Sequence, residues 1–311
     1  MSPMHHYTAY GAPLASTIAL PELDERPAGP ARWTVTEADA GLPPMSGARA
    51  LGHDTLYGTV EARLCAHDGG HRIEVDDTGA FDLSPDRTRV TVARRPGAWE
   101  DFVRQHLAGR VLATALYLDG LLPLHASAVA TADGVLAFLA PKGYGKSSLA
   151  LALAQAGAWL VSDDTLPVDP QAATALPGLQ GLRVHDDSVA AVGAGAGMLR
   201  SREGKQVLTA LPDGALTGGA RPLAALYVLV PMAPETPALT RTPFPPALAA
   251  IGVVAHVKIG RMLGSWGAAT MMARAAALVH RVPVQQLHVP RDLARLPAAA
   301  ATLLAWHGRP A

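Results

Sequence analysis

Between His125 and Asp164 the chain gathers residue types that handle phosphate. The run Ala140-Pro141-Lys142-Gly143-Tyr144-Gly145-Lys146-Ser147 fits the phosphate-loop pattern G-x-x-x-x-G-K-[ST] everywhere except its first glycine. In such a loop the backbone N–H groups and the positive end of the following helix converge on one anion. The lysine reaches the β/γ-phosphates and the serine hydroxyl holds Mg²⁺. Lys142, Gly143, Tyr144, Gly145, Lys146, Ser147 and Ser148 are thus the expected nucleotide contacts, with ATP and Mg²⁺ as cofactors.

Asp163 and Asp164 follow the apolar run Ala158-Trp159-Leu160-Val161. Carboxylates at a strand end beside the loop are where a nucleotide site needs its cation ligand and its base. His125 belongs to the strand candidate Leu124–Val129, one strand away from the loop strand. The expected catalytic set is His125, Lys146, Asp163 and Asp164, with Ser147 and Asp164 as cation ligands. Each has a plainer reading when taken singly. Lys146 fits a solvated Gly/Pro turn, the aspartates an Asp-rich turn, and His125 a packed strand residue. Their occurrence together, in the right order, favours phosphate chemistry. Successive strand side chains point to opposite faces, so the two aspartates need not share a role, and which one is the base stays open at this level.

These residues need elements to hold them. Gly134–Leu139 reads as a short buried strand and Ser147–Ala156 as an unbroken helix, which is the context the loop requires. A turn at Ala132-Asp133-Gly134 makes the strand of His125 and the loop strand a hairpin. Ala140 suits the first loop position only where its φ stays negative. Farther on, Leu223–Val230 and Val284–Val289 read as strands, and Arg261–His280 and Asp292–Trp306 as helices. Leu176-Pro177-Gly178 and Leu182-Arg183-Val184 suggest a strand pair, followed by a short helix from Asp186. The glycine-rich loop with Arg200, Arg202, Glu203 and Lys205 has the composition of a lid over a transferring phosphoryl group.

Upstream, short alternating runs at Thr59–Leu64, His71–Val75, Ala80–Leu83 and Arg89–Val92 are separated by turn residues, the pattern of half-buried antiparallel strands. Trp99–Leu118 has helical spacing and ends at Asp119-Gly120. The expected organisation is a β-rich domain over 1–96, a connecting helix over 97–120 and an α/β phosphate-loop domain over 121–311. The histidines His5, His6, His53, His67 and His71 lack metal-ligand spacing and are assigned no chemistry.

Composition narrows the class. The chain of 311 residues carries 26 Lys plus Arg and 26 Asp plus Glu, so no net basic charge supports nucleic-acid binding. Its single cysteine, Cys65, rules out an intrachain disulfide and fits a reducing compartment. No apolar run of about 18 residues predicts a membrane span, and the first residues lack a signal-peptide pattern. The expectation is a cytoplasmic protein with no nucleic-acid or membrane partner.

The order Leu124-His125-Ala126-Ser127-Ala128-Val129, phosphate loop, then Leu160-Val161-Ser162-Asp163-Asp164 resembles the catalytic domain of HPr kinase/phosphorylase, similar in loop plan to phosphoenolpyruvate carboxykinase. The likeness is specific over this stretch and collinear toward the C-terminus. There the PGLQGLRVHDDSV, REGKQVL and VPVQQLHVPRDLARL segments resemble smaller HPr-kinase-like proteins, including kinases of lasso-peptide biosynthesis. The resemblance implies a serine kinase acting on a peptide or small protein, such as a lasso-type precursor or an HPr-like phosphocarrier, and it suggests homo-oligomers. It makes Lys146 the phosphate lysine, Ser147 the metal ligand, Asp164 or Asp163 the base, and His125 an active-site histidine. Where bifunctional members carry a metal-binding glutamate, this chain reads Asp186-Asp187-Ser188-Val189, with Asp186 or Asp187 as the candidate substitute, so the reverse activity stays open at this level. A non-catalytic ATP-binding regulator and transfer to a small-molecule hydroxyl are the competing readings.

Overall fold

The structure is a computed structural model that describes residues 3–179, 181–193, 199–200, 206–208, 219–234 and 238–310. It is an α/β protein dividing into two compact units, one of residues 1–121 with 258–271, the other of 122–257 with 272–311. The expected boundary near 120 lies beside this division, but the expected continuity of 121–311 does not match it, because 258–271 groups with the first unit. Gly52 marks one close contact within that grouping. A Cβ there would lie 2.4 Å from the Met262 carbonyl oxygen, so only glycine admits so close a backbone approach.

The first unit is built on a nine-stranded sheet. Its strands are β1 (His5–Ala9), β2 (Ala12–Ser16), β3 (Asp24–Glu25), β4 (Trp33–Glu37), β5 (Arg49–Leu56), β6 (Val60–His67), β7 (Gly70–Val75), β8 (Gly79–Leu83) and β9 (Arg89–Arg94). They lie in the order β3-β1-β2-β4-β9-β8-β7-β6-β5. Alternating strands send Leu64, Ile73, Phe81, Leu83, Val90 and Val92 into the core. The region expected as one helix is α1 (Glu100–His106), a π-helical turn (Leu107–Val111) and α2 (Leu112–Leu118). His106, at the start of the π turn, is fully buried, and its Nδ1 lies 3.0 Å from Arg110 Nη1. Burial, then the nearby Arg110 and Lys258 charges, push its imidazole down to about 3.

The second unit contains β10 (Leu122–Leu124), β11 (Ala126–Thr131), β12 (Gly134–Leu139), α3 (Lys146–Gln155), β13 (Trp159–Ser162), β14 (Leu166–Asp169) and β15 (Thr174–Ala175). It continues with β16 (Leu182–Val184), α4 (Asp186–Val192), β17 (Leu199–Arg200), β18 (Gln206–Leu208), β19 (Arg221–Met232), β20 (Thr240–Pro243) and α5 (Pro246–Ala255). Next come α6 (Gly260–Val279), which begins in the first unit, β21 (Val284–Pro290), a 3-10 turn (Leu293–Arg295) and α7 (Leu296–His307). The described residues near Leu176 form no strand partner for β16, which pairs with β18 instead. Arg202, Glu203 and Lys205 of the expected lid lie outside the described residues.

Strand direction gathers the chemistry. β12, β19 and β21 are parallel, so their carboxyl ends share one edge. β11 runs antiparallel to both β12 and β13, which brings its start to that same edge as their ends. The edge therefore collects the residues before β11, the loop after β12 and the residues after β13. Beneath it, Phe138 stacks on Tyr227 at 6.0 Å, and both share a core with α3 and α7.

Candidate active site

His125 sits in the one-residue break between β10 and β11. Its backbone N–H donates to the His256 carbonyl at 2.7 Å, and Leu124 bridges Val257 beside it. The side chain lies between a cation and a carboxylate. Lys146 Nζ is 3.2 Å from Nε2, while Nδ1 is 3.0 Å from the Asp164 carbonyl oxygen and 3.3 Å from Asp164 Oδ1. An ammonium has only protons to offer, so Nε2 accepts and the ring proton belongs on Nδ1, facing Asp164.

The loop from 140 to 145 leaves β12 and enters α3. Gly143 and Gly145 both have φ of +86°, with open space where a Cβ would stand, so the demand for glycine there is conformational. Ala140 is buried and is absent from the residues with positive φ, which is why alanine fits the position the pattern gives to glycine. Lys146 is 7% exposed and folds over the loop, donating to the Ala140 carbonyl at 2.8 Å and the Pro141 carbonyl at 3.3 Å. Lys142 and Tyr144 are exposed on the loop. Ser148 Oγ lies 2.8 Å from Ser188 Oγ of α4.

The two aspartates part company. Asp163 is 4% exposed, and its Oδ1 accepts from Ser147 Oγ at 2.8 Å and from Ser127 Oγ at 2.5 Å. Its Oδ2 accepts from the Arg183 backbone N–H at 3.0 Å. Asp164 takes φ of +73°, a left-handed conformation uncommon outside glycine, and this turns it away from Asp163 toward His125. The alternation argument does not apply, because β13 ends at Ser162. The Ser147 hydroxyl that the sequence expectation joined to Asp164 is bonded to Asp163.

Sequence reasoning missed Ser127 and the Arg183 amide as partners of Asp163. A serine two residues after His125 was the available signal for the first; a backbone contact leaves none. It also missed His256. Burial first, then the Lys146 and His125 charges, lower the His256 pKa, against a raising contact from the Gly252 carbonyl at 2.7 Å.

The donor set suits Mg²⁺. A hydroxyl and a buried carboxylate are hard oxygen ligands, and Mg²⁺ is typically held by one or two carboxylates with phosphates and water completing its shell. Among the described residues no group of three or more His, Cys, Asp or Glu side chains forms a metal cluster.

No family profile matches the chain. No curated protein sequence matches it either. Among solved structures, the HPr(Ser) kinase/phosphatase from Coxiella burnetii is similar over 60% of this chain and 95% of its own, at 16% identity and a TM-score of 0.30. A likeness of that size leaves the chemistry to the residues themselves. No helix among the described residues is long and apolar enough to cross a membrane.

Proposed function

We propose that the protein is an ATP- and Mg²⁺-dependent kinase that transfers the γ-phosphoryl group to a serine hydroxyl of a peptide or small protein. The observation that supports this best is the division of labour between the aspartates, with Asp163 tied to Ser147 and Asp164 turned to His125. Phosphoryl transfer needs charge neutralisation and in-line placement more than covalent work by the protein. The loop amides and Lys146 cradle the phosphates. Ser147 and Asp163 would hold Mg²⁺, which when bound neutralises charge on the β- and γ-oxygens. Asp163 is buried beneath the loop beside Ser147, so the more accessible Asp164 takes the base role. Its carboxylate accepts the serine proton as the serine oxygen bonds to phosphorus and the bond to the ADP oxygen breaks. His125 holds Asp164 on one side and Lys146 on the other.

A nucleotide-binding regulator has no use for the Asp164–His125 pair, which disfavours that alternative. The resemblance noted above makes a lasso-type precursor peptide the preferred acceptor, with an HPr-like phosphocarrier second. The test is mass spectrometry of such acceptors after incubation with ATP and Mg²⁺, using Lys146→Ala and Asp164→Asn as controls. Transfer undiminished in both variants would overturn the mechanism.

A further inference from the structure

Helix α5 departs from the rule that the water-facing side of a surface helix is polar. Its sequence, Pro246-Ala247-Leu248-Ala249-Ala250-Ile251-Gly252-Val253-Val254-Ala255, has no side chain that carries charge or forms a hydrogen bond. Ala249, Ala250 and Val253 are buried, whereas Leu248 is 53% and Ile251 55% exposed, with Ala247 and Ala255 also exposed on the outward side. The outward positions recur at helical spacing, so they form one apolar face.

This face ends on the candidate site. The residue after α5 is His256, whose carbonyl takes the His125 N–H at 2.7 Å, and the next, Val257, bridges Leu124. At 1.5 Å per residue, Ile251 lies about 7 Å and Leu248 about 12 Å along the helix from His256. An extended chain covers about 3.3 Å per residue, so two to four residues reach from the site to these side chains. Size separates the candidate occupants. A ten-residue helix about 15 Å long and 10 Å wide presents on the order of 150 Å². A standard interface buries about 800 Å² per partner, so a second copy of the chain would need most of its contact elsewhere.

We infer that the outer face of α5 docks the polypeptide acceptor, taking an apolar side chain two to four residues from the phosphorylated serine. This rests on the kinase reading for the identity of the occupant, and its test is separable from that reading. Two fluorescein-labelled serine decapeptides are compared, one with leucines two to four residues from the serine and one with glutamines there. Fluorescence anisotropy with the full-length protein gives each dissociation constant. The leucine peptide binds about tenfold tighter to the wild type, and the preference disappears in Leu248→Gln/Ile251→Gln. A Leu248→Ala/Ile251→Ala variant, milder toward folding, reduces it severalfold.

Equal binding of the two peptides by the wild type, or a preference unchanged in both variants, overturns the inference. So does a wild-type dimer, seen by light scattering, that either variant dissociates with no peptide preference at stake. Transfer from γ-labelled ATP is followed separately. A leucine preference lost in the variants, without phosphate transfer by the wild type, upholds the docking face and sinks the kinase reading.

Discussion

At one end of β12, His125 lies between Lys146 and Asp164; at the other, His307 lies between Tyr227 and Asp133. The second set runs Arg241 Nη1 to Tyr227 Oη at 3.0 Å, Tyr227 Oη to His307 Nε2 at 2.8 Å, and His307 Nδ1 to Asp133 Oδ2 at 3.1 Å. Donors run in the same direction through both histidines, from a cation on one side to a carboxylate on the other. Their surroundings differ. The His307 side chain is 10% exposed and locks the end of α7, while that of His125 is 30% exposed between a glycine-rich loop and a left-handed aspartate. Hydrogen-bond logic alone therefore does not separate the two histidines. Access, and a backbone shaped for something other than packing, make the difference.

Substitution breaks the two sets in opposite currencies. Asp164→Asn lowers the transfer rate by about 10²–10⁴-fold with little change in melting temperature, as expected for loss of a general base. His307→Ala leaves the rate intact below the melting transition and removes about 1–3 kcal/mol of stability, because Tyr227 and Asp133 lose their partner. Initial rates and thermal melts of both variants decide the matter, and matching profiles would erase the distinction.

Acid acts on the packed histidines. Burial lowers the pKa of His307 and, more strongly, of His106, which falls to about 3. Below an ordinary imidazole value near 6.5 the unfolded chain binds protons that the fold refuses. Stability is thus fully present above that value and declines as pH falls toward 3, by on the order of 4 kcal/mol for His106. Denaturant melts across this window should show the slope, and His106→Gln should flatten it.

Smaller effects sharpen the picture around the aspartates. A Cβ on Gly178 would lie 1.8 Å from Ser162 Oγ, which is held on the Thr165 carbonyl at 2.6 Å. Gly178→Ala should therefore cost about 1–3 kcal/mol and slow transfer by shifting the strand end that carries Asp163. Ala140→Gly, which restores the usual loop residue, is the weakest change. It should leave the rate within about twofold and cost about 0.5–1 kcal/mol through backbone entropy.

Much of this site was legible in the sequence because its parts are local. The apolar runs 134–139 and 158–161 flank a glycine-lysine-serine turn, and their order requires the strand-loop-helix geometry. What stayed hidden depends on tertiary geometry. Nothing in Asp163-Asp164 reveals that the strand stops one residue earlier and that Asp164 turns left-handed. Helix α5 escaped because a continuous apolar run after Pro245-Pro246 has no polar face for periodicity to register. The grouping of 258–271 with the first unit brings Met262 against Gly52, far off in the chain, a contact no local pattern registers.

The hairpin of β11 and β12, paired from Thr131↔Gly134 to Ala126↔Leu139, has a consequence for how the molecule forms. His125, Lys146, Asp163 and Asp164 fall within one continuous segment, so their mutual contacts close short loops, whereas His256, β19 and β21 must come from much farther along the chain. Contacts of low sequence separation form fastest. The candidate site should accordingly acquire protection from hydrogen exchange early in refolding, before the parallel strands that buttress it have docked.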